Sequence, residues 1–289
     1  MRVFLLSIYI VLGYLPVLAQ TEITSLKFDQ GRKYDITLQV KSTIAQQAMG
    51  QAIDFSVDAI GDHRYTVTNA TADNTTLHHD VNRLRFVFEG MGQKRSFDSN
   101  DENDMNGPFG KYAKEILSKS YDMIIDPQGQ TLMAIPEKIT IAETDARMAI
   151  IHRMLHDVVN MVYPPQKNTP GFFQLFPNEP LAVGLTWTRS ADDSTGRIQE
   201  IYKIAEMKDS TIEIDYSAES VTITKAEMMG NETITTMNNK STGKIIVDGF
   251  TKILLEKNIR TESNGNSEAP FGTIPVTSKS EIIIRVKAN

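Results

Sequence analysis

The sequence predicts a mainly β protein of the α+β class, with curved antiparallel sheets in two related lobes. One long amphipathic helix and one shorter helix pack on them. Three observations lead there. Apolar and polar residues alternate at period two through most of the chain, helical period is confined to the middle, and one hairpin phrase occurs twice.

Period-two alternation marks strands with one buried and one solvated face, the usual state of antiparallel sheet. In "YDITLQV" (34–40), Tyr34, Ile36, Leu38 and Val40 share a face. In "AIDFSVDAI" (52–60), Ile53, Phe55 and Val57 oppose Asp54, Ser56 and Asp58. In "RLRFVFEG" (83–90), Leu84, Phe86 and Phe88 oppose Arg85 and Glu89. "TIEIDYSAESVTIT" (211–224) and "SEIIIRV" (280–286) carry the same strand chemistry.

The spacing of Met148, Ile151, Leu155, Val158 and Val162 within "ETDARMAIIHRMLHDVVNMVYPP" (143–165) predicts the long helix. Thr144 or Asp145 caps its start and Pro164-Pro165 ends it. A shorter helix is expected at "GKYAKEILSKS" (110–120). The doubled phrase is "YDMIIDPQGQTLMAI" (121–135) and "KIIVDGFTKILLEK" (244–257), in which Asp126 matches Asp248 and Leu132 matches Leu254. Asp126-Pro127-Gln128-Gly129 suits a type I turn, and Gly249 offers a positive φ to the second.

The chain therefore divides into a leader at 1–19, an N-terminal β lobe at 20–140, a helix and connector at 141–180, and a C-terminal β lobe at 181–289. Prolines in "YPPQKNTPGFFQLFPNEPLAVG" (163–184) fix φ and remove ladder donors, so the connector is extended and is no strand. Its Phe172, Phe173 and Phe176 are costly to leave in water, at about 1.5–3 kcal/mol each. They are expected between the lobes or beneath the helix.

Met1-Arg2, the apolar "VFLLSIYIVLGYLPVL" (3–18) and the small residues Val17 and Ala19 describe a secretory signal peptide cut before Gln20. Export to the periplasm or outside a bacterial cell follows, with no stable membrane insertion after cleavage. The chain holds no cysteine, which rules out disulfides, thiolate metal sites and cysteine nucleophiles. A formal charge of −6 with scattered acids argues against nucleic acid, which needs clustered lysine and arginine.

Motifs for chemistry are weak. His152 and His156 stand four apart, but Arg153 occupies the place where a zinc hydrolase carries its glutamate. His78 and His79 are neighbours on a strand and point to opposite faces. Asp98, Asn100, Glu102 and Asp104 alternate like the oxygen ladder of a calcium loop. Asn103 and Phe109, however, occupy the places of the loop glycine and closing glutamate. No metal, cofactor or catalytic residue is expected, those four acids and amides being the weak candidates.

"KFDQGRKYDI", "QQAMGQ" (46–51), "FDS" (97–99), "DMIIDPQGQ", "EPLAVGLTW" (179–187) and "STGKIIVDG" (241–249) together resemble a family of uncharacterised exported bacterial proteins, a domain of unknown function of about this length. That family usually reads Gly-Asp-x-Trp where this chain has Gly184-Leu185-Thr186-Trp187, without the aspartate. The resemblance implies no activity and no site residue. By analogy of fold the pattern is similar to periplasmic carriers of lipoproteins and lipids, in which a helix lids a concave sheet. The expectation is a non-enzymatic envelope binding protein that takes a lipid or other apolar ligand. Met148, Ile151, Leu155, Val158, Val162, Phe172, Phe173 and Phe176 would form its lid. The alternatives are a structural or protein-interaction module whose partner is another envelope protein, and a hydrolase without a recognisable motif.

Overall fold

The computed structural model describes residues 24–48, 51–90, 92–136, 158–159, 161–162, 171–228, 231–270 and 272–289. The first part holds β1 (Lys33–Ala48), β2 (Gln51–Ala70), β3 (Thr75–Gly90), β4 (Gln93–Asp98), α1 (Glu102–Asn106), α2 (Gly110–Leu117), β5 (Ser120–Ile125) and β6 (Thr131–Pro136). The second holds β7 (Thr186–Asp193), β8 (Gly196–Met207), β9 (Thr211–Met228), β10 (Asn231–Asp248), β11 (Leu254–Ala269) and β12 (Gly272–Ala288). The fold is mainly β, as expected, but the expected sheets are one twelve-stranded antiparallel sheet, in the order β6-β5-β3-β2-β1-β12-β11-β10-β9-β8-β7, with β4 also on β3. The reason is edge chemistry. Long strands β1 and β12 would each present a row of unpaired N–H and C=O groups, and pairing them from Tyr34↔Ala288 to Gln46↔Val276 satisfies both. Strands 33–136 and 186–288 are thus adjoining halves of one sheet.

One face of this sheet is apolar. Leu84, Gly61, Leu38, Ile284, Lys257, Ile245, Ile214 and Ile204 form a single row across eight strands, all small or apolar except Lys257. Ile36, Leu38, Ala59, Leu84, Phe86, Ile204, Ile214 and Ile245 are buried there. Burying each large side chain contributes about 1.5–3 kcal/mol. In β3 the alternation slips. Asp62 pairs with Arg83 but His63 pairs with Val81, so Asn82 is an extra residue and the face changes parity. Phe86 and Leu84 point inward beyond the bulge; Val81, His79 and Leu77 do so before it.

The doubled phrase makes two turns with one device. Asp126 accepts from the N–H groups of Gln128 (2.9 Å) and Gln130 (2.8 Å), and Gly129 takes φ +86° at the turn's end. Asp248 accepts from the N–H groups of Phe250 (3.0 Å) and Thr251 (2.6 Å) and from the Thr251 hydroxyl (2.8 Å). The positive φ of the second turn falls on Lys252 (62°) and not on Gly249. Gly249 is needed for closeness instead, since a Cβ there would stand 2.8 Å from the Asp209 carbonyl oxygen. Reading across the sheet, β6-β5 lead the first run of strands and β11-β10 lead the second, after β12.

The opposite face is solvated. Exposed pairs such as Lys279–Glu262 (3.4 Å), Lys240–Glu219 (3.8 Å) and Arg260–Glu281 (3.2 Å) bridge neighbouring strands, each worth about 0–1 kcal/mol. Towards the far ends of β9–β12 the apolar face gives way to hydroxyls and amides. There the Ser241 and Thr261 hydroxyls meet at 2.8 Å and the Asn239 amide donates to Ser220 Oγ at 3.0 Å.

The acidic stretch 98–110, whose alternating acids resemble a calcium loop, contains α1. Asp101 caps it by accepting from the N–H groups of Asn103 (2.8 Å) and Asp104 (3.4 Å), which satisfies donors that a helix start leaves open. The shorter helix expected at 110–120 is α2, with Tyr112, Ala113 and Ile116 buried. Of the long helix, Met148, Ile151, Leu155, His152 and His156 lie outside the described residues. Val158 and Val159 are helical, and they and Val162 are buried on the sheet.

Candidate ligand-binding face

The connector covers the apolar face at two places three residues apart. Phe173 packs edge-on against Tyr65 (5.0 Å between centroids) and Phe28 (5.4 Å), in the first half of the sheet. Phe176 packs on Trp187 (6.1 Å), in the second half. Phe172 stacks parallel to Tyr65 at 6.3 Å. The predicted lid residues Val158, Val162, Phe172, Phe173 and Phe176 are therefore brought onto one face.

Beneath Phe173 lies a polar aromatic cluster. His63 Nδ1 and His79 Nε2 meet at 3.0 Å. His79 stacks on Tyr121 (4.4 Å) and adjoins Tyr65 (4.7 Å). The Tyr65 and Tyr121 hydroxyls meet at 2.6 Å and lie 2.5 and 3.1 Å from the Val162 carbonyl oxygen, so one phenol donates to the other and the other to the carbonyl. This tether fixes the cover to the sheet by side chains from β2 and β5. Burial lowers the His63 imidazole to about 3, against a small upward pull from the Val158 carbonyl. Burial also takes His79 well below the usual histidine value, with the neighbouring His63 adding to it. Gly61 makes room for the cover, because a Cβ there would stand 2.8 Å from Val158 Cγ1 and 2.9 Å from His63 Nε2.

Beneath Phe176 lies a second cluster with cations. Trp187, Tyr202 and Tyr216 stand side by side on β7, β8 and β9, with Trp187 stacked on Tyr202 (5.2 Å, 5°) and Tyr202 edge-on to Tyr216 (5.2 Å). The Arg189 guanidinium lies 5.5 Å from the Tyr202 ring centroid and donates to the Leu175 carbonyl at 2.9 Å. Lys257 Nζ lies 5.4 Å from the Tyr216 centroid. The Tyr216 hydroxyl donates to Glu200 at 2.9 Å. Burial, then Glu200, raises both phenols, while burial lowers the Lys257 ammonium, Glu200 opposing and Arg189 adding to that shift.

The weak metal candidates are elsewhere and otherwise engaged. The Asp98 carboxylate is forked onto Arg83, and the backbone N–H of Asp98 donates to Asp104 Oδ2 at 2.8 Å. Asn100 gives its backbone N–H to Asp98 Oδ1 at 3.0 Å, and Glu102 is an exposed residue of α1. Among the described residues no group of three or more His, Asp or Glu is placed to hold a metal ion. His79, Tyr65, Tyr121, Trp187, Tyr202, Tyr216, Arg189 and Lys257 went unnoticed as site residues in the sequence. The inward Tyr202–Ile204 and Ile212–Ile214–Tyr216 alternation was the available signal for two of them. Two open clefts of about 550 and 570 Å³ lie on the polar far ends of the strands, lined by groups such as Arg197 and Lys240 or Lys41 and Glu281.

Residues 166–251 match the model of a family of unknown function (DUF6263). That stretch contains "EPLAVGLTW" and "STGKIIVDG", and over it the expectation of a domain of unknown function stands. No curated protein matches the chain. Among solved structures, lipovitellin, in a structure of lipid–protein interactions, is similar at 11% identity and a TM-score of 0.45, over 90% of this chain and 26% of that one. This chain thus spans about a quarter of the lipovitellin chain. An outer membrane channel of Pseudomonas putida F1 is similar at 8% identity and a TM-score of 0.26, over 91% of this chain and 98% of that one. OpdQ of Pseudomonas aeruginosa is similar at 7% identity and a TM-score of 0.25, over 90% and 100%. Among the described residues no helix is long and apolar enough to cross a membrane.

Proposed function

We propose that this chain is an exported, non-enzymatic binding protein of the bacterial envelope that takes an apolar ligand between the sheet's apolar face and the connector. One observation carries the reading. A very wide apolar sheet face is covered by a connector, through a few valine and phenylalanine side chains, and no second sheet packs on it among the described residues. At the margin of this cover Val40, Phe88 and Ile282 are only partly buried, so the apolar surface continues past it. A contiguous apolar surface of this kind fits a ligand-binding role.

The test uses the purified full chain. Organic extraction followed by mass spectrometry is expected to release a bound apolar molecule, and Trp187, the chain's single tryptophan, reports rebinding by its emission. An empty extract together with an emission unmoved by any long-chain probe would overturn the reading.

A second reading, an interaction module, draws on β6. Leu132, Met133 and Ile135 are 41%, 44% and 61% exposed on this outermost strand, and an apolar edge of this sort suits strand addition by another envelope protein. Monomeric sedimentation with no cross-linked partner in envelope preparations would remove it.

A further inference from the structure

The binding reading leaves open what kind of apolar molecule the face takes, and the second cluster bears on that. Lys257 is the charged residue in the otherwise apolar row of the sheet, between Ile245 and Ile284 on the neighbouring strands. Its ammonium makes no ion pair or hydrogen bond among the described residues and touches only the Tyr216 ring, at 5.4 Å. Arg189 approaches the same aromatic pair from the other side, over Tyr202, donating to the Leu175 carbonyl and hydrogen-bonding the Tyr202 phenol, and it forms no ion pair among the described residues. The carboxylate of the cluster, Glu200, accepts from the Tyr216 hydroxyl and forms no ion pair with either cation. Trp187, beside them, holds a buried indole N–H with no acceptor among the described residues.

Among the described residues, two cations, one carboxylate and an unpaired N–H donor make an arrangement short of one negative charge. The Lys257 ammonium is desolvated, the Trp187 N–H is buried and Arg189 is half-buried beside them. Desolvated charges and donors are normally paired, because leaving them without a partner is unfavourable by several kcal/mol for an ion and about 1–3 for a neutral group. We infer that Lys257, Arg189 and the Trp187 indole form an anion subsite for the head of a single-chain amphiphile, a long-chain carboxylate whose tail lies along the apolar face of the sheet. The inference rests on the apolar-ligand reading and adds the charge to it. A monoanion brings the cluster to neutrality, whereas a phosphate monoester would leave a second negative charge beside Glu200. A planar carboxylate also suits the guanidinium fork of Arg189.

The experiment titrates the full chain with dodecanoate, dodecanol and phosphatidylglycerol, following Trp187 emission and heat. Dodecanoate is expected to bind at least about tenfold more tightly than dodecanol, a difference of about 1.4 kcal/mol. Lys257→Met should abolish that preference, acid and alcohol then binding alike, and Lys257→Arg should restore it. Arg189→Gln gives a second, independent loss should the methionine variant fold poorly. Equal affinity of acid and alcohol for the unaltered chain, or a preference that survives both substitutions, overturns the subsite and leaves the apolar site standing. Lysine-dependent binding of phosphatidylglycerol but not of dodecanoate overturns the carboxylate assignment. If neither acid nor alcohol binds, the apolar-ligand reading fails and the subsite fails with it.

Discussion

The imidazoles of His63 and His79 meet at 3.0 Å in a place where a proton is costly, and this sets a pH dependence. His63 sits at about 3 in the folded chain against 6.5 in an unfolded one. Above pH 6.5 neither state is protonated and the stability is fully present. Below it the unfolded chain takes up a proton that the native chain refuses, so stability falls by about 1.4 kcal/mol per pH unit for this one group down to pH 3. His79 acts in the same direction. His78, on the solvated face of β3 and hydrogen-bonded to Asp122 at 2.8 Å, is raised by that bond and acts oppositely, its contribution fading as pH rises through its folded value. It is half exposed, so the buried pair is expected to dominate. Thermal midpoints from pH 7.5 to 4 should fall steeply for the natural chain and less steeply for His63→Gln; parallel slopes would refute the assignment. Gly61 is predicted by the same crowding. Gly61→Ala pushes Val158 and His63 apart and should lower stability by about 1–3 kcal/mol in denaturant titrations. A neutral result would mean that the cover is not held closely at that point.

At the scale of elements, the echo of Ile124-Ile125-Asp126 in Ile246-Val247-Asp248 has its explanation in turn chemistry, since both aspartates collect the N–H groups that the chain reversal leaves open. Burial pushes the Asp248 carboxyl up, but the donors of Thr251 and Phe250 outweigh it and hold it below the usual range. The hairpins sit differently, however: β10–β11 is flanked by strands on both sides, while β5–β6 ends the sheet. Asp248→Ala should therefore lower global stability by about 2 kcal/mol. Asp126→Ala should mainly loosen a sheet edge, visible as faster amide exchange in β6 with a smaller change in midpoint. Equal global effects would argue against that difference of position.

Over the whole molecule, β1 and β12 pair along their lengths, so the two halves share one hydrogen-bonded ladder and are stitched again by Phe173 and Phe176. Phe176→Ala is expected to uncover Trp187 and shift its emission to the red; an unshifted spectrum would mean that the indole is shielded from elsewhere. The proposed export is tested at this scale as well. The mass of protein recovered from a bacterial envelope should correspond to a chain that begins at Gln20, and an intact Met1 there would count against the leader.

The strands were legible because a half-buried strand must alternate, and Tyr34, Ile36 and Leu38 show it residue by residue. The Phe172–Phe176 patch was legible because phenylalanine in a proline-rich passage has to find cover. The sequence by itself thus determined the mainly β class, the burial of the connector's phenylalanines and the places of the two aspartate turns, all of which follow from local chemistry, though the positive φ of the second turn fell on Lys252 and not on Gly249. Only the tertiary structure decided that His79 and not His78 is buried, since the extra residue at Asn82 changes the face and a bulge leaves no mark in the alternation. It alone placed Lys257 and Arg189 on one aromatic row, although 68 positions separate them in the chain. Strand register brings such residues together, and register is set by the competition of every strand for a partner, a quantity that no short stretch contains.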